Sequence, residues 1–208
     1  MGKTEEQGPV ESPLFCARTK RLLEARGNLT PFEVLGLTPS YPLDDGALRR
    51  RLLRLSRQVH PDFHGQDDPA TRELAERNMA ELNTAFRILS DDFRRADWLV
   101  RSLGGPSEDQ DREMPPEFLL EVFEWNEALE EARAAGVGSP ARARLAAQEE
   151  ALVRERRRAM DEVGAMLTPL PPAGSAALAD IRRRLNSVRY LNRTLQEIAE
   201  IRLEEPAG

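Results

Sequence analysis

One cysteine, two histidines and an aromatic share of 5% leave this 208-residue chain short of the groups that build disulfide frameworks, metal centres and stacking surfaces. Cys16 alone closes no intramolecular disulfide and assembles no cysteine cage for zinc, and a lone cysteine suits a reducing compartment. No run reaches the roughly 20 apolar residues needed to cross a bilayer. Met1 to Pro9 lacks the apolar segment of a secretory leader, and Glu6 stands where myristoylation favours Ser or Thr. The expected location is therefore cytoplasmic, in a bacterium, with a mitochondrial matrix as the alternative. A formal net charge of −6 excludes general nucleic-acid affinity, which needs a basic surface to displace counterions from phosphate.

What is present is charge and aliphatic bulk: 32% charged and 40% hydrophobic residues, with few β-branched runs. That balance suits helices with wet outer faces, and the fold class expected is all-α. The length allows one domain or two small ones, each with a real core.

The most informative stretch starts at Asp44, a plausible N-cap. Leu48, Leu52, Leu55 and Val59 then recur at helical spacing and leave Arg49, Arg50, Arg51, Arg54 and Arg57 on the remaining faces. No acid balances those five arginines where they cluster, so an acidic protein surface is the expected complement. Pro61 disfavours helical geometry at His60 and cannot continue the ladder itself, so the helix stops with His60 and Asp62 exposed. Taken alone, His60-Pro61-Asp62 is a helix terminator with polar flanks. Its neighbours say more. Thr30, Pro31 and Glu33 predict a capped short helix ending near Gly36, with Phe32, Leu35 and Leu37 as core contacts. Asp68 and Pro69 open a second long helix carrying Leu74, Leu82, Ala85, Phe86 and Leu89.

Short helix, basic helix, His-Pro-Asp loop and long helix, in that order over about 60 residues, resemble a J domain, the module that stimulates ATP hydrolysis by DnaK-type chaperones. Ser90, Asp91 and Asp92 then cap another short helix with Ala96, Trp98, Leu99 and Leu103, stopped by Gly104-Gly105-Pro106. The acidic, proline-containing stretch that follows reads as a linker. Ahead of all this, the first dozen residues read as disordered and Leu14 to Arg26 as a short helix.

Beyond the linker, breakers separate three helical segments, about 116–135, 140–167 and 175–204, which predict an antiparallel three-helix bundle. Leu145, Leu152, Ala159, Val163 and Met166 form the stripe of the second. Leu178, Ile181, Leu185, Val188, Leu191, Leu195 and Ile198 form that of the third. The first carries one apolar face too many. Phe118, Val122, Trp125 and Leu129 cover the bundle side, yet Leu119, Leu120 and Phe123 point a third to a half turn away, beside Glu124 and Glu127. That second patch either packs against the rest of the chain or meets a partner, with Arg189 and Tyr190 of the third segment off their own core stripe and able to extend it.

A J domain, an acidic linker and a bundle opened by Phe118-Leu119-Leu120-Glu121 and carrying Val188-Arg189-Tyr190-Leu191 resemble the HscB family of iron-sulfur cluster co-chaperones. The likeness covers about residues 30–204. It implies an N-terminal J domain (29–104), a linker (105–115) and a C-terminal bundle (116–204), flanked by a variable extension (1–28) and a tail (205–208). It implies two partners, a DnaK-type, HscA-like ATPase and an IscU-like cluster scaffold protein, with no nucleic acid, membrane, resident metal or other cofactor. The ATPase-activating residues would be His60, Pro61 and Asp62, supported by Arg49, Arg50, Arg54 and Arg57. The scaffold-binding residues would be Leu119, Leu120, Phe123, Glu124, Glu127, Arg189 and Tyr190.

Some relatives carry an N-terminal zinc-binding segment with paired cysteines. Pro13-Leu14-Phe15-Cys16 would be its relic, without the metal. Two departures are Trp125, where a smaller aliphatic residue is common, and Tyr190, whose hydroxyl must stay wet or find an acceptor. Three readings remain beside this one: a bundle that carries some other client, a weak homodimer through exposed apolar surface, and an enzyme using His60, Asp62 and His64 as acid-base groups. The last lacks a phosphate loop, a metal set and a nucleophile placed against a base.

Overall fold

The computed structural model describes residues 12–16, 18–19, 21–24, 27–64, 68–135 and 138–203; the side chains of Phe63 and His64 fall outside this description. The all-α expectation holds, with one small exception at the start. The chain forms two compact units, Met1–Arg95 and Ala96–Gly208.

In the first unit, α1 (Pro31–Val34) opens through a capping box: the Thr30 N–H donates to Glu33 Oε2 at 2.8 Å and the Glu33 N–H to Thr30 Oγ1 at 3.1 Å. The backbone N–H and the side chain of Thr30, hydrogen-bonded to the ionised carboxylate, hold the pKa of Glu33 below its usual range. Helix α2 (Asp45–Val59) is capped by Asp44 and α3 (Pro69–Leu89) by Asp68, whose carboxylate accepts from the Ala70 and Thr71 N–H groups. The two long helices form an antiparallel hairpin, and α1 packs on α3 as well. Leu48, Leu55 and Val59 of α2 meet Ala75, Leu82, Ala85 and Leu89 of α3 around the fully buried Phe32 and Leu35.

The exception overturns the helix expected over Leu14–Arg26. Its described residues form an antiparallel pair, β1 (Phe15–Cys16) with β2 (Arg21–Leu22), Phe15 opposite Leu22 and Cys16 opposite Arg21. The physical reason lies in α3. Asn78 is buried, and its amide donates to the carbonyls of Leu14 and Leu23 at 3.2 and 3.0 Å, clamping both ends of the hairpin while Leu14 inserts into the core. That long-range clamp outweighs local helical preference. The disorder expected of the first dozen residues lies outside the described residues except at Ser12, whose hydroxyl donates to the Val34 carbonyl.

In the second unit α5 (Pro116–Ala134), α6 (Pro140–Met166) and α7 (Ala177–Leu203) pack together as the expected three-helix bundle. The α6 stripe drifts by one residue from the sequence reading. Met160 and Leu167 are buried, while Ala159 and Met166 are only half-buried. Over 27 residues a 3.6-residue helix rotates away from a stripe read at fixed spacing, which accounts for the shift.

The division between units falls within α4 (Asp92–Ser102), ten residues ahead of the stretch read as a linker. That stretch is strapped along α7 by buried polar side chains. Arg182, fully buried, donates to the Pro106 carbonyl at 2.9 Å and to Asp97 at 2.7 Å. Asn186 donates to the carbonyls of Asp111 and Glu113 at 2.9 and 2.8 Å. Gly105 allows close approach: a Cβ there would lie 2.7 Å from a Val100 methyl and 2.9 Å from Leu178.

Two stability outcomes follow from these clamps. Asn78→Ala, which takes its donor from the Leu23 carbonyl and leaves the Leu14 carbonyl with the Leu23 N–H, should cost about 1–3 kcal/mol and strip hydrogen-exchange protection from the hairpin while α2 and α3 keep theirs. Arg182→Met should lower stability by about 3 kcal/mol in urea unfolding, because Asp97 loses its buried partner and keeps the more exposed Arg101; a change near zero would show that the pair is energetically idle.

Candidate functional sites on the two units

On the first unit the site is the end of α2 and the turn after it. His60 is the C-cap, with φ −67° and ψ 132°, the extended geometry that a following proline imposes. Pro61–His64 form a single 3₁₀ turn. The Asp62 N–H donates to His60 Nδ1 at 3.2 Å, so Nδ1 acts as an acceptor and the neutral ring carries its proton on Nε2. Asp62 Oδ2 stands 3.6 Å from the same nitrogen. The Asp62 side chain is 86% exposed and that of His60 40% exposed.

Arg49, Arg50, Arg54 and Arg57 are exposed along α2. Arg51 is not part of that set. It folds inward, donating through Nε to the Leu35 carbonyl and through Nη2 to that of Gly36, and burial together with the neighbouring Arg54 lowers its pKa. Its task is to cap the carbonyl end of α1. Four of the five arginines thus stand exposed on α2.

On the second unit the site is the outer side of α5. Leu119, Leu120 and Phe123 are 49%, 76% and 65% exposed, with Glu124 and Glu127 exposed among them. The apolar patch that was open to two readings is therefore uncovered in this unit. Inward, Phe118 and Leu129 are buried, and Val122 and Trp125 are half-buried against Leu191, Leu195 and Ile198.

Arg189 and Tyr190 do not stand as freely as the sequence suggested. The Tyr190 ring packs edge-on to Phe118 at 6.0 Å and stacks on Trp125 at 6.4 Å, and its hydroxyl donates to Asn126 Oδ1 at 2.7 Å. The acceptor that hydroxyl required is thus supplied from α5, and Trp125 is the second wall of an aromatic cluster. Asn126 lies three residues after Phe123 and seven after Leu119, on the margin of the exposed patch, so Tyr190 adjoins that patch through it. Arg189 is paired with Glu108 of the strap, and burial lowers its pKa against the opposing pull of Asp97. Met114 lines both the hollow beside Leu119 and the hollow beside Tyr190 and Arg189, joining the two. Sequence reasoning missed Asn126, Glu108 and Met114. Only Asn126 left a signal, as the one amide among glutamates on that side of α5.

Among the described residues no group of His, Cys, Asp and Glu is placed to hold a metal ion, and no helix is long and apolar enough to cross a membrane. The Cys16 thiol accepts hydrogen bonds from Thr19, which lower its pKa.

Comparison with known proteins matches both halves. Residues 30–98 match the DnaJ domain family and residues 114–199 the HSCB C-terminal oligomerisation domain family. The co-chaperone protein HscB homolog of Bordetella petrii is 31% identical over 178 residues, spanning 85% of this chain and 96% of the relative. That of Cupriavidus taiwanensis is 32% identical, spanning 84% and 95%. That of Ralstonia nicotianae is 34% identical over 108 residues, 51% of this chain and 61% of the relative's length. Among solved structures, human co-chaperone protein HscB superposes with a TM-score of 0.73 at 23% identity, over 95% of this chain and 93% of that one. Chaperone HscB from Vibrio cholerae gives 0.68 at 21%, over 85% and 99%. A J-type hairpin ending in His60-Pro61-Asp62, a three-helix bundle with an uncovered apolar face, and relatives aligned along nearly their whole length converge on one conclusion: the chain belongs to the HscB family of co-chaperones.

Proposed function

We propose that the chain is an adaptor for iron-sulfur cluster assembly that does no bond chemistry itself. Its J domain (29–104) engages an HscA-like ATPase of the DnaK type, and its bundle (116–204), reached through 105–115, holds the cluster scaffold protein. The single observation that carries this reading is the exposure of Leu119, Leu120 and Phe123 on a helix whose opposite side already fills the bundle core. An apolar centre edged by Glu124 and Glu127 has the composition of a protein interface. Tyr190 braces its margin through Asn126, and Arg189 offers a charge-assisted contact once Glu108 gives way.

His60, Pro61 and Asp62 deliver the activating signal. Arg49, Arg50, Arg54 and Arg57 steer an acidic ATPase surface toward them and fix its register, while the apolar anchors on α5 set how long the scaffold stays. Holding both partners on one chain raises the effective concentration of scaffold at the ATPase. The setting that fits the bacterial relatives is the cytoplasm. A second reading rests on the description of the C-terminal family as an oligomerisation domain: the same face of α5 meets a second copy of the chain.

Two measurements test these roles separately. His60→Gln should hold its melting behaviour, because an exposed loop substitution changes stability within about 0.5 kcal/mol, and should fail to stimulate the ATPase; full stimulation removes the motif from the mechanism. Leu119→Ala with Phe123→Ala should weaken scaffold binding by about 2–4 kcal/mol, roughly 30- to 700-fold, with the fold retained. Unchanged scaffold affinity, together with loss of a concentration-dependent dimer in sedimentation, would instead assign the face to self-association.

A further inference from the structure

Helix α2 has one residue that fits neither of its faces. Leu48, Leu55 and Val59 are buried and Leu52 is half-buried, which accounts for the apolar stripe. Leu53 stands a little over a third of a turn, about 130°, from the middle of that stripe and is 61% exposed. A helix that only needed to pack would place a polar group there. Its surroundings are specific. Arg49 and Arg50 lie four and three residues before it, Arg57 four residues after it and Arg54 next to it, all exposed, so the outward face is a leucine ringed by four guanidinium groups. The only acid in α2 is Asp45, in the first turn. His60 follows Leu53 by seven residues, two turns or about 10.5 Å along the axis, close enough for one partner surface to cover both.

We propose that Leu53 is the apolar anchor of the ATPase-docking face: it seats in a shallow apolar depression bordered by carboxylates on the DnaK-type partner, and the arginines form the rim. The inference rests on reading α2 and the His-Pro-Asp turn as the side that meets the ATPase. It adds where binding energy, as distinct from steering, resides on that side. Charge decides the occupant. A second copy presenting the same face would bring eight guanidinium groups together around the two-fold axis, counting four from each copy. A lipid surface would need a continuous apolar stripe, and the stripe of α2 is already spent on α3. Phosphate groups would engage the arginines yet gain nothing from Leu53. An acidic protein surface with an apolar centre uses all five side chains. The long aliphatic stems of the arginines can lie along Leu53 and keep water from it, the arrangement of a hot spot inside its rim.

The test is ATPase stimulation by the full chain, titrated against the purified DnaK-type partner at several salt concentrations, for wild type, Leu53→Gln, Leu53→Met, Arg57→Ala and His60→Gln. Leu53→Gln should raise the half-stimulating concentration about tenfold or more, leave maximal stimulation and the salt dependence intact, and be largely rescued in Leu53→Met. Arg57→Ala should flatten the salt dependence instead. A Leu53→Gln titration that overlays wild type, while His60→Gln is inactive, overturns the anchor and spares the activating motif. No stimulation by wild type overturns the underlying reading and the anchor with it. Self-association of the wild type that Leu53→Gln abolishes in sedimentation gives the face to a second copy and also overturns the proposal.

Discussion

A helix can hide only part of its circumference against its neighbours, and whatever apolar surface lies beyond that arc stays in water or waits for another molecule. Helix α5 buries Phe118 and Leu129 and half-buries Val122 and Trp125, which uses its core-facing arc completely. Leu119, Leu120 and Phe123 are therefore surplus to folding. Helix α2 shows the same surplus on a smaller scale at Leu53, set among arginines rather than glutamates. Since exposed apolar side chains contribute little to the stability of the unit that carries them, substitutions at these positions separate binding from folding more cleanly than substitutions in either core.

Buried polar groups do a different job: they decide where irregular backbone runs. Asn78 holds the two ends of the N-terminal hairpin through its amide, and Asn186 and Arg182 hold the 105–115 strap against α7. Each donates to backbone carbonyls of an irregular segment, which is how a loop can lie against a core with those carbonyls paired. In the hairpin, Leu14 and Asn78 supply the fixation. The Glu108–Arg189 pair belongs to the strap as well, which couples a residue of the proposed scaffold surface to a segment that reads in sequence as mere connection.

The two faces differ in sign and in chemistry. Four exposed arginines around α2 favour an acidic surface, while Glu124 and Glu127 beside the α5 patch disfavour the same one.

The amino-acid sequence by itself determined the helices, their caps, the extended turn at His60 and the surplus face of α5, because periodicity, capping and proline geometry act over one to four residues. It also placed His60, Asp62 and the arginines in the open. The tertiary structure alone decided the hairpin, the strap, the diversion of Arg51 to the carbonyls of Leu35 and Gly36, and the engagement of Tyr190 with Asn126. Those outcomes turn on bonds between residues as far apart as Leu14 and Asn78 or Pro106 and Arg182, and no local pattern encodes which distant carbonyl a buried amide or guanidinium will reach.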